Sequence, residues 1–389
     1  MDNETRRKRR APPLILALFL LVFFQRSTVD VLALNYTNFR HVSSLRLARI
    51  QRHLDKINKP AIKTIESPDG DIIDCVHRHK QPALDHPLLK NHKIQRAPPE
   101  MPRMRVSKEG EGMRNKINGS EGTGRAWQTW HLGGERCPKG TVPIRRSSVN
   151  DVLRAKSLYH FGKKQRIRRL PLDRYVDAPD VVSGNGHEHA IAYTGSSTQE
   201  LYGAKATINV WDPSIQVVNE FSLSQIWILS GSFDGPDLNS IEAGWQVSPE
   251  LYGDSRPRLF TYWTDPKIGN WWMGFGDNTL VGYWPAELFT HLSDHANMVE
   301  WGGEVVNTRT NGEHTSTQMG SGHFAEAGFG RSSYFRNLEI VDADNSLSSA
   351  QDISTLSENT NCYNIKSSYN NEWGTHFYYG GPGNNPECP

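Results

Sequence analysis

Residues 297–307 read NMVEWGGEVVN, and this stretch decides how the second half of the chain folds. It is rich in β-branched and aromatic residues. Successive side chains of a strand point to opposite faces, so Glu300, Gly302 and Glu304 share one face. Working outward, the same texture recurs in HAIAYT (189–194), AKATINVW (204–211), SQIWILSG (224–231), GWQVSP (244–249) and RLFTYWT (258–264). It continues in NWWMGFG (270–276), LVGYW (280–284), YFRNLEIVD (334–342) and THFYYGG (375–381). Gly, Pro, Asn and Asp separate these segments. Regular short strands divided by such turns predict an all-β sandwich or barrel, and residues 187–389 read as an antiparallel β-sandwich. Helical periodicity is confined to a short stretch near Ala286–Ala296, and no period marks a repeat protein.

Before residue 187 both texture and charge change. The 389 residues carry a formal +2, yet residues 187–389 sum to −16 and the first 186 to +18. Two parts of opposite sign attract at neutral pH, and protonating the carboxylates weakens that attraction in acid. That behaviour suits an acid-triggered proprotein; the bland alternative is a basic tail for an acidic surface or nucleic acid. LRLARIQRHLDKI (45–57) has helical spacing and ends at Lys59-Pro60, and TIESPDGDIIDCV (64–76) reads as a hairpin turning at Ser67–Gly70. Residues 90–126 are polar and rich in Lys, Arg, Gly and Pro, the composition of a mobile loop. Residues 137–146 are strand-like and 149–156 helix-like. These make residues 35–162 a small mixed domain. Residues 163–186 form a basic linker carrying Lys163, Lys164, Arg166, Arg168 and Arg169, where proteases cut exposed chains.

Residues 1–34 read as an export signal: Arg6, Arg7, Lys8, Arg9 and Arg10 precede an apolar run from Pro13 to Phe24 that is short for a membrane span. An uncleaved signal anchor is the rival reading. Export places the chain in an oxidising compartment, secreted and extracellular or vacuolar, where an even number of cysteines favours disulfides. Of the three connectivities of Cys75, Cys137, Cys362 and Cys388, Cys75–Cys137 with Cys362–Cys388 is the simplest. Asn35 and Asn118 open glycosylation sequons. Export also argues against nucleic acid as a partner, and no stable membrane association is expected once the signal is cut.

Several segments are more specific. GHEHA (186–190), YGAKATINVW (202–211), EFSLSQIW (220–227), NSIEAGWQV (239–247), LYGD (251–254), GYWP (282–285), VEWGGE (299–304), MGSGHF (319–324) and GGPG (380–383) together resemble the neprosin domain. Upstream, the region around Asp74-Cys75-Val76, QPALDHPLL (81–89) and CPKGTVPIR (137–145) resemble the activation peptide of that family. The resemblance implies a β-sandwich endopeptidase made as a zymogen, activated in acid, and cutting near proline. Its partners are a protein or peptide substrate and its own propeptide as inhibitor, and it needs no cofactor. The family uses two glutamates, and the motif-matched positions are Glu242 in IEAGW and Glu304 in WGGE.

Peptide hydrolysis needs a base to activate water and an acid to protonate the leaving amine. Two facing carboxyls can divide those roles by sharing a proton. The bland reading of a strand Glu is a solvated face. Glu300 rivals Glu304; the Gly302-Gly303 pair, which would let a substrate backbone approach, and the motif match favour Glu304. Trp245, Gln246, Tyr262 and Trp301 are candidates to line the cleft and hold a proline ring, against the bland reading as core. There is no G-x-S-x-G, H-E-x-x-H, Asp-Thr-Gly or Asp-Ser-Gly. His187 and His189 could share a strand face as metal ligands, but no third ligand is evident and no metal is expected. Against the family pattern, TYWT (261–264) runs straight into DPKIGNWW, so a segment carrying a cysteine pair and sheet is missing. The rival function is therefore a secreted β-sandwich binding module without turnover, or a non-functional variant.

Overall fold

The computed structural model describes residues 42–104, 128–155, 157–159, 161–162, 186–195, 199–231, 238–263, 270–276, 279–309 and 313–389. The export signal, Asn35, Asn118 and residues 163–185 of the basic linker lie outside them. The chain forms two compact units, Met1–Lys56 and Ile57–Pro389. In the first, the described residues enter helix α1 (Ser44–Ile57), whose buried Ile50 and Leu54 stand one turn apart.

The second unit begins with a small antiparallel sheet. Strands β1 (Ala61–Glu66) and β2 (Ile72–His77) form the expected hairpin, closed by Gly70 N–H donating to Ser67 C=O at 2.9 Å. Two short segments follow, β3 (Arg103–Met104) and β4 (Thr141–Arg145), and β4 completes the sheet beside β2. The Cys75–Cys137 disulfide ties this sheet to Trp130 and its neighbours over a core of Ile65 and Ile73. Helix α2 (Val149–Arg154) starts at a Ser148–Asp151 capping box.

The remainder is a sandwich. One sheet runs β15 (Ser354–Ser357), β5 (His187–Gly195), β12 (Met298–Val306), β7 (Ser222–Ser230), β8 (Asn239–Val247), β9 (Arg258–Trp263), all antiparallel. The other runs β16 (Asn364–Asn370), β17 (Gly374–Gly380), β13 (Ser333–Val341), β14 (Ser346–Ser349), β3, with β6 (Gly203–Ile208) also on β13. The pairing of β14 with β3 is parallel. Val299, Trp301 and Val305 of the first sheet meet Phe335, Phe377 and Tyr379 of the second in one buried cluster. A separate hairpin, β10 (Trp271–Phe275) with β11 (Thr279–Trp284), and helix α3 (Pro249–Tyr252) lie outside both sheets. Cys362–Cys388 closes the C-terminus, so both disulfides follow the simplest connectivity.

Two expectations are corrected. Near Ala286–Ala296 the only helical turn is the 3-10 turn Ala286–Leu288. The N–H groups of Thr290, His291 and Leu292 all donate to Asn239 Oδ1, at 2.9, 2.7 and 3.2 Å, and are not free to close helical turns. Residues 90–104, expected to be mobile, are instead tied down. His92 Nε2 and Gln95 N–H both bond Tyr283 Oη, at 2.6 and 2.9 Å, and Arg103 N–H donates to Asn345 C=O at 2.8 Å.

Candidate active site

The registers of the first sheet line up three rows of side chains on the face turned away from the sandwich core. The first row is Tyr193, Glu300, Trp227 and Glu242; the second is Ile191, Gly302, Gln225, Gly244 and Phe260; the third is His189, Glu304, Leu223, Gln246 and Arg258. Glu242, Glu300 and Glu304 therefore share a face. Glu242 stands in Glu300's row with only Trp227 between, a Cα separation of about 10 Å from two strand spacings. Glu304 is offset from Glu242 by two strands and four residues, roughly 16 Å at the Cα atoms. Glu242 and Glu304 cannot pass a proton directly at that distance; a substrate or water must lie between.

All three carboxyls are buried, at 4 %, 4 % and 2 % exposure for Glu242, Glu300 and Glu304. A solvated-face reading is thereby excluded, and each group must be paired or neutral. Glu242 accepts from Gln225 Nε2 and Ser240 Oγ, both at 3.0 Å. Glu304 Oε1 meets His187 Nδ1 at 2.5 Å, and Glu304 Oε2 lies 3.9 Å from His189 Nε2. Glu358, just beyond β15, accepts from the His189 backbone N–H at 2.5 Å and faces His189 Nδ1 at 3.0 Å. Burial alone would lower the His189 pKa, but the Glu358 hydrogen bond and the charges of Glu304, Glu358 and Glu300 raise it. Glu300 differs from the other two: its Oε1 is buried with no hydrogen-bond partner. Burial, opposed by His189 and assisted by Glu242, Glu304 and Glu358, pushes its carboxyl up to about 7.

The candidate cleft residues divide. Gln246 lies on the carboxyl face in Glu304's row, and Tyr252 Oη donates to its Oε1 at 3.1 Å. The backbone of Tyr262 pairs with that of Glu242 across β8 and β9. Trp301 is not a cleft residue: it is fully buried in the sandwich core, on the other side of the sheet. Trp245 also projects from the face opposite Glu242. It lines a cleft of about 310 Å³ with Asp71, Trp130, Arg145 and Arg258, where the small sheet meets β8 and β9. The space expected at Gly302-Gly303 is filled. A Cβ on Gly302 would lie 2.2 Å from Ala190 O, and one on Gly303 would lie 2.6 Å from the Tyr379 ring, so packing, not substrate access, demands both glycines. Gln225, Ser240 and Glu358 were missed in the sequence. The signal for Gln225 was a polar residue in the otherwise apolar alternation Leu223, Trp227, Leu229 of β7.

The third row continues toward the N-terminal segment. Arg258 donates to Asp71 at 2.9 Å and to both oxygens of Asp254 at 2.6 and 3.0 Å, and it lies 4.7 Å over the Tyr252 ring. Residues before the linker thus meet the Arg258 end of the third row, where Leu223 separates the polar pair Gln246 and Arg258 from Glu304, His189 and Glu358. Among the described residues, the one close group of metal-ligating side chains is His314 with Cys362 and Cys388, and both cysteines are oxidised in a disulfide.

A β-sandwich with three buried carboxyls on one sheet face, contacted at its rim by an N-terminal domain, has the layout of a hydrolase held with its own pro-segment. Comparison with models of known families matches the neprosin activation peptide over residues 64–193 and neprosin over residues 218–267 and 264–382. The chain belongs to the neprosin family of peptidases and carries that family's activation peptide ahead of its peptidase domain, the organisation of a zymogen. The activation-peptide match runs to residue 193, within β5, so it includes the strand that carries His187 and His189.

Proposed function

We propose that this protein is a secreted glutamic endopeptidase zymogen, activated in acid, that hydrolyses peptide bonds near proline. Glu242 and Glu304 are its catalytic glutamates: one takes a proton from water attacking the scissile carbonyl carbon, the other delivers a proton to the amide nitrogen as the C–N bond breaks. The observation that carries the reading is the burial of both groups on one face of a single sheet, in a chain of a peptidase family. Buried carboxyls are retained at a cost of several kcal/mol that a merely structural site avoids, and a carboxyl pair works best in acid. The activation peptide restrains the enzyme at the Arg258 end of the third row, through Asp71.

A second reading, a β-sandwich that binds without turnover, draws on two observations. The neprosin match falls in two pieces that overlap at residues 264–267, the point where the sequence pattern departs from the family. Among the described residues, β9 then ends the first sheet as an edge. One experiment separates the readings. The full exported chain is held at neutral and acid pH, and its size and its cleavage of a proline-containing peptide are followed by mass spectrometry. Acid shortening with cleavage supports the peptidase; a folded, monodisperse chain that leaves the peptide intact at every pH supports the binding module.

A further inference from the structure

We infer that Glu300 is a positioning residue for Glu242: it stands as the neutral, protonated acid of their row and keeps a second negative charge away from Glu242, which takes the proton from water. This rests on the peptidase reading and goes beyond it, since it names Glu242 as the member that takes the proton from water.

The geometry is specific. Glu300 and Glu242 are the two acids of one row, on strands separated only by β7. A second charge at that separation in a buried face would be repelled, which favours a neutral acid in the row. Which of the two is neutral follows from the partners. Glu242 accepts from an amide at one oxygen and a hydroxyl at the other, so both its oxygens are placed as acceptors. Glu300 has a buried oxygen with no partner, which favours its neutral form. The charged and titratable groups around Glu300 are Glu242 on β8, His189 on β5, Glu304 on its own strand and Glu358 beyond β15; three are acids and only His189 opposes them. Burial and these acids put its carboxyl at about 7. Glu304 is no substitute in this role, because His187 and His189 stand against its two oxygens.

The consequence is a limit on activity. With Glu300 protonated, Glu242 is free to take a proton from water as the water oxygen bonds to the carbonyl carbon. When Glu300 ionises, it adds a second negative group at the site where an anionic intermediate forms. Activity therefore falls as the solution turns neutral. Glu300→Gln is a fixed copy of the protonated carboxyl.

The test compares wild type and E300Q as full exported chains, with acid treatment before the assay. The pH profile of peptide cleavage should keep its acid limb in E300Q while the neutral-side limb moves up by about one pH unit or more. In parallel, thermal unfolding of the untreated chains is followed from acid to neutral pH: wild type should lose stability across that range more steeply than E300Q. An unchanged cleavage profile, or a folded E300Q that cleaves nothing, overturns the inference; the second result would make Glu300 itself the proton donor. If wild type cleaves no peptide at any pH, the peptidase reading fails, while a stability difference would still report the protonated Glu300.

Discussion

Glu242, Glu300 and Glu304 have the same side chain and three different surroundings, and their expected behaviour on mutation differs accordingly. Replacing Glu242 or Glu304 by Gln should lower peptide cleavage by about 10²–10⁴-fold, the usual worth of a general acid or base, without loss of fold, as circular dichroism would check. Glu300 is read through stability. Its carboxyl lies above the ordinary value of 4.5, so its contribution is complete below that value and is lost as pH rises through about 7. The loss from this one group is up to roughly 3 kcal/mol, and E300Q should remove that slope from a series of melts between acid and neutral pH. The wild-type slope persisting in E300Q would mean that another group, such as His189, carries it. The alternation of NMVEWGGEVVN was enough to put Glu300 and Glu304 on one face. It could not tell which of them shares a row with Glu242, because rows depend on register between strands 50 or more residues apart in sequence, which no local pattern encodes.

At the scale of elements, the small sheet β1-β2-β4 meets the peptidase domain through few groups, and their titration is informative. Arg258 bridges Asp71 of the hairpin and Asp254 before β9. Burial raises Asp254, but its hydrogen bonds from Arg258 and the Arg256 backbone, with the charges of both arginines, together outweigh it and leave the carboxyl below its ordinary value. A depressed carboxyl gives stability above its unfolded pKa that is lost only as pH falls through the lower folded one. The Arg258–Asp254 pair, within the peptidase domain, therefore survives mild acid and lets go only below about pH 4. Asp71→Asn should move the midpoint of acid shortening to higher pH, measured by the fraction of full-length chain after incubation across a pH series; an unmoved midpoint would place the restraint elsewhere. The elements themselves were largely legible. The hairpin at Ser67–Gly70, the helices near 45–57 and 149–156 and most strands of the sandwich follow from period and turn chemistry. The two misses have tertiary causes. Asn239 takes the backbone donors that a helix at 290–292 would need, and β3 exists only because Ser346 and Leu347 offer an edge to residues 103 and 104. Trp301 was misjudged for a related reason: an aromatic on an alternating strand reads equally well into a cleft or into the core until the second sheet is in place.

For the whole molecule, the activation peptide is built into the peptidase domain as well as laid against it. Leu89 is 3 % exposed within the sandwich core, His92 and Gln95 bond Tyr283 of β11, β3 extends the second sheet, and Arg154 donates to the carbonyls of Glu250 and Leu251. Each disulfide, by contrast, lies wholly on one side of the basic linker: Cys75–Cys137 before it and Cys362–Cys388 after it. Cutting within 163–185 should thus yield two pieces with no covalent link that nevertheless stay together at neutral pH. Limited proteolysis should give two bands on a denaturing gel run without reductant and a single full-mass peak on a native sizing column. Added salt screens the attraction between the basic N-terminal and the acidic C-terminal piece but leaves the apolar seat of Leu89, so the nicked complex should survive salt. Leu89→Ala removes that seat at a cost of about 2–5 kcal/mol, and the nicked variant should then separate in salt at neutral pH. If nicked wild type falls apart in salt by itself, charge alone joins the pieces; if nicked L89A stays whole, the hold lies in the β3 and Tyr283 contacts rather than in the core.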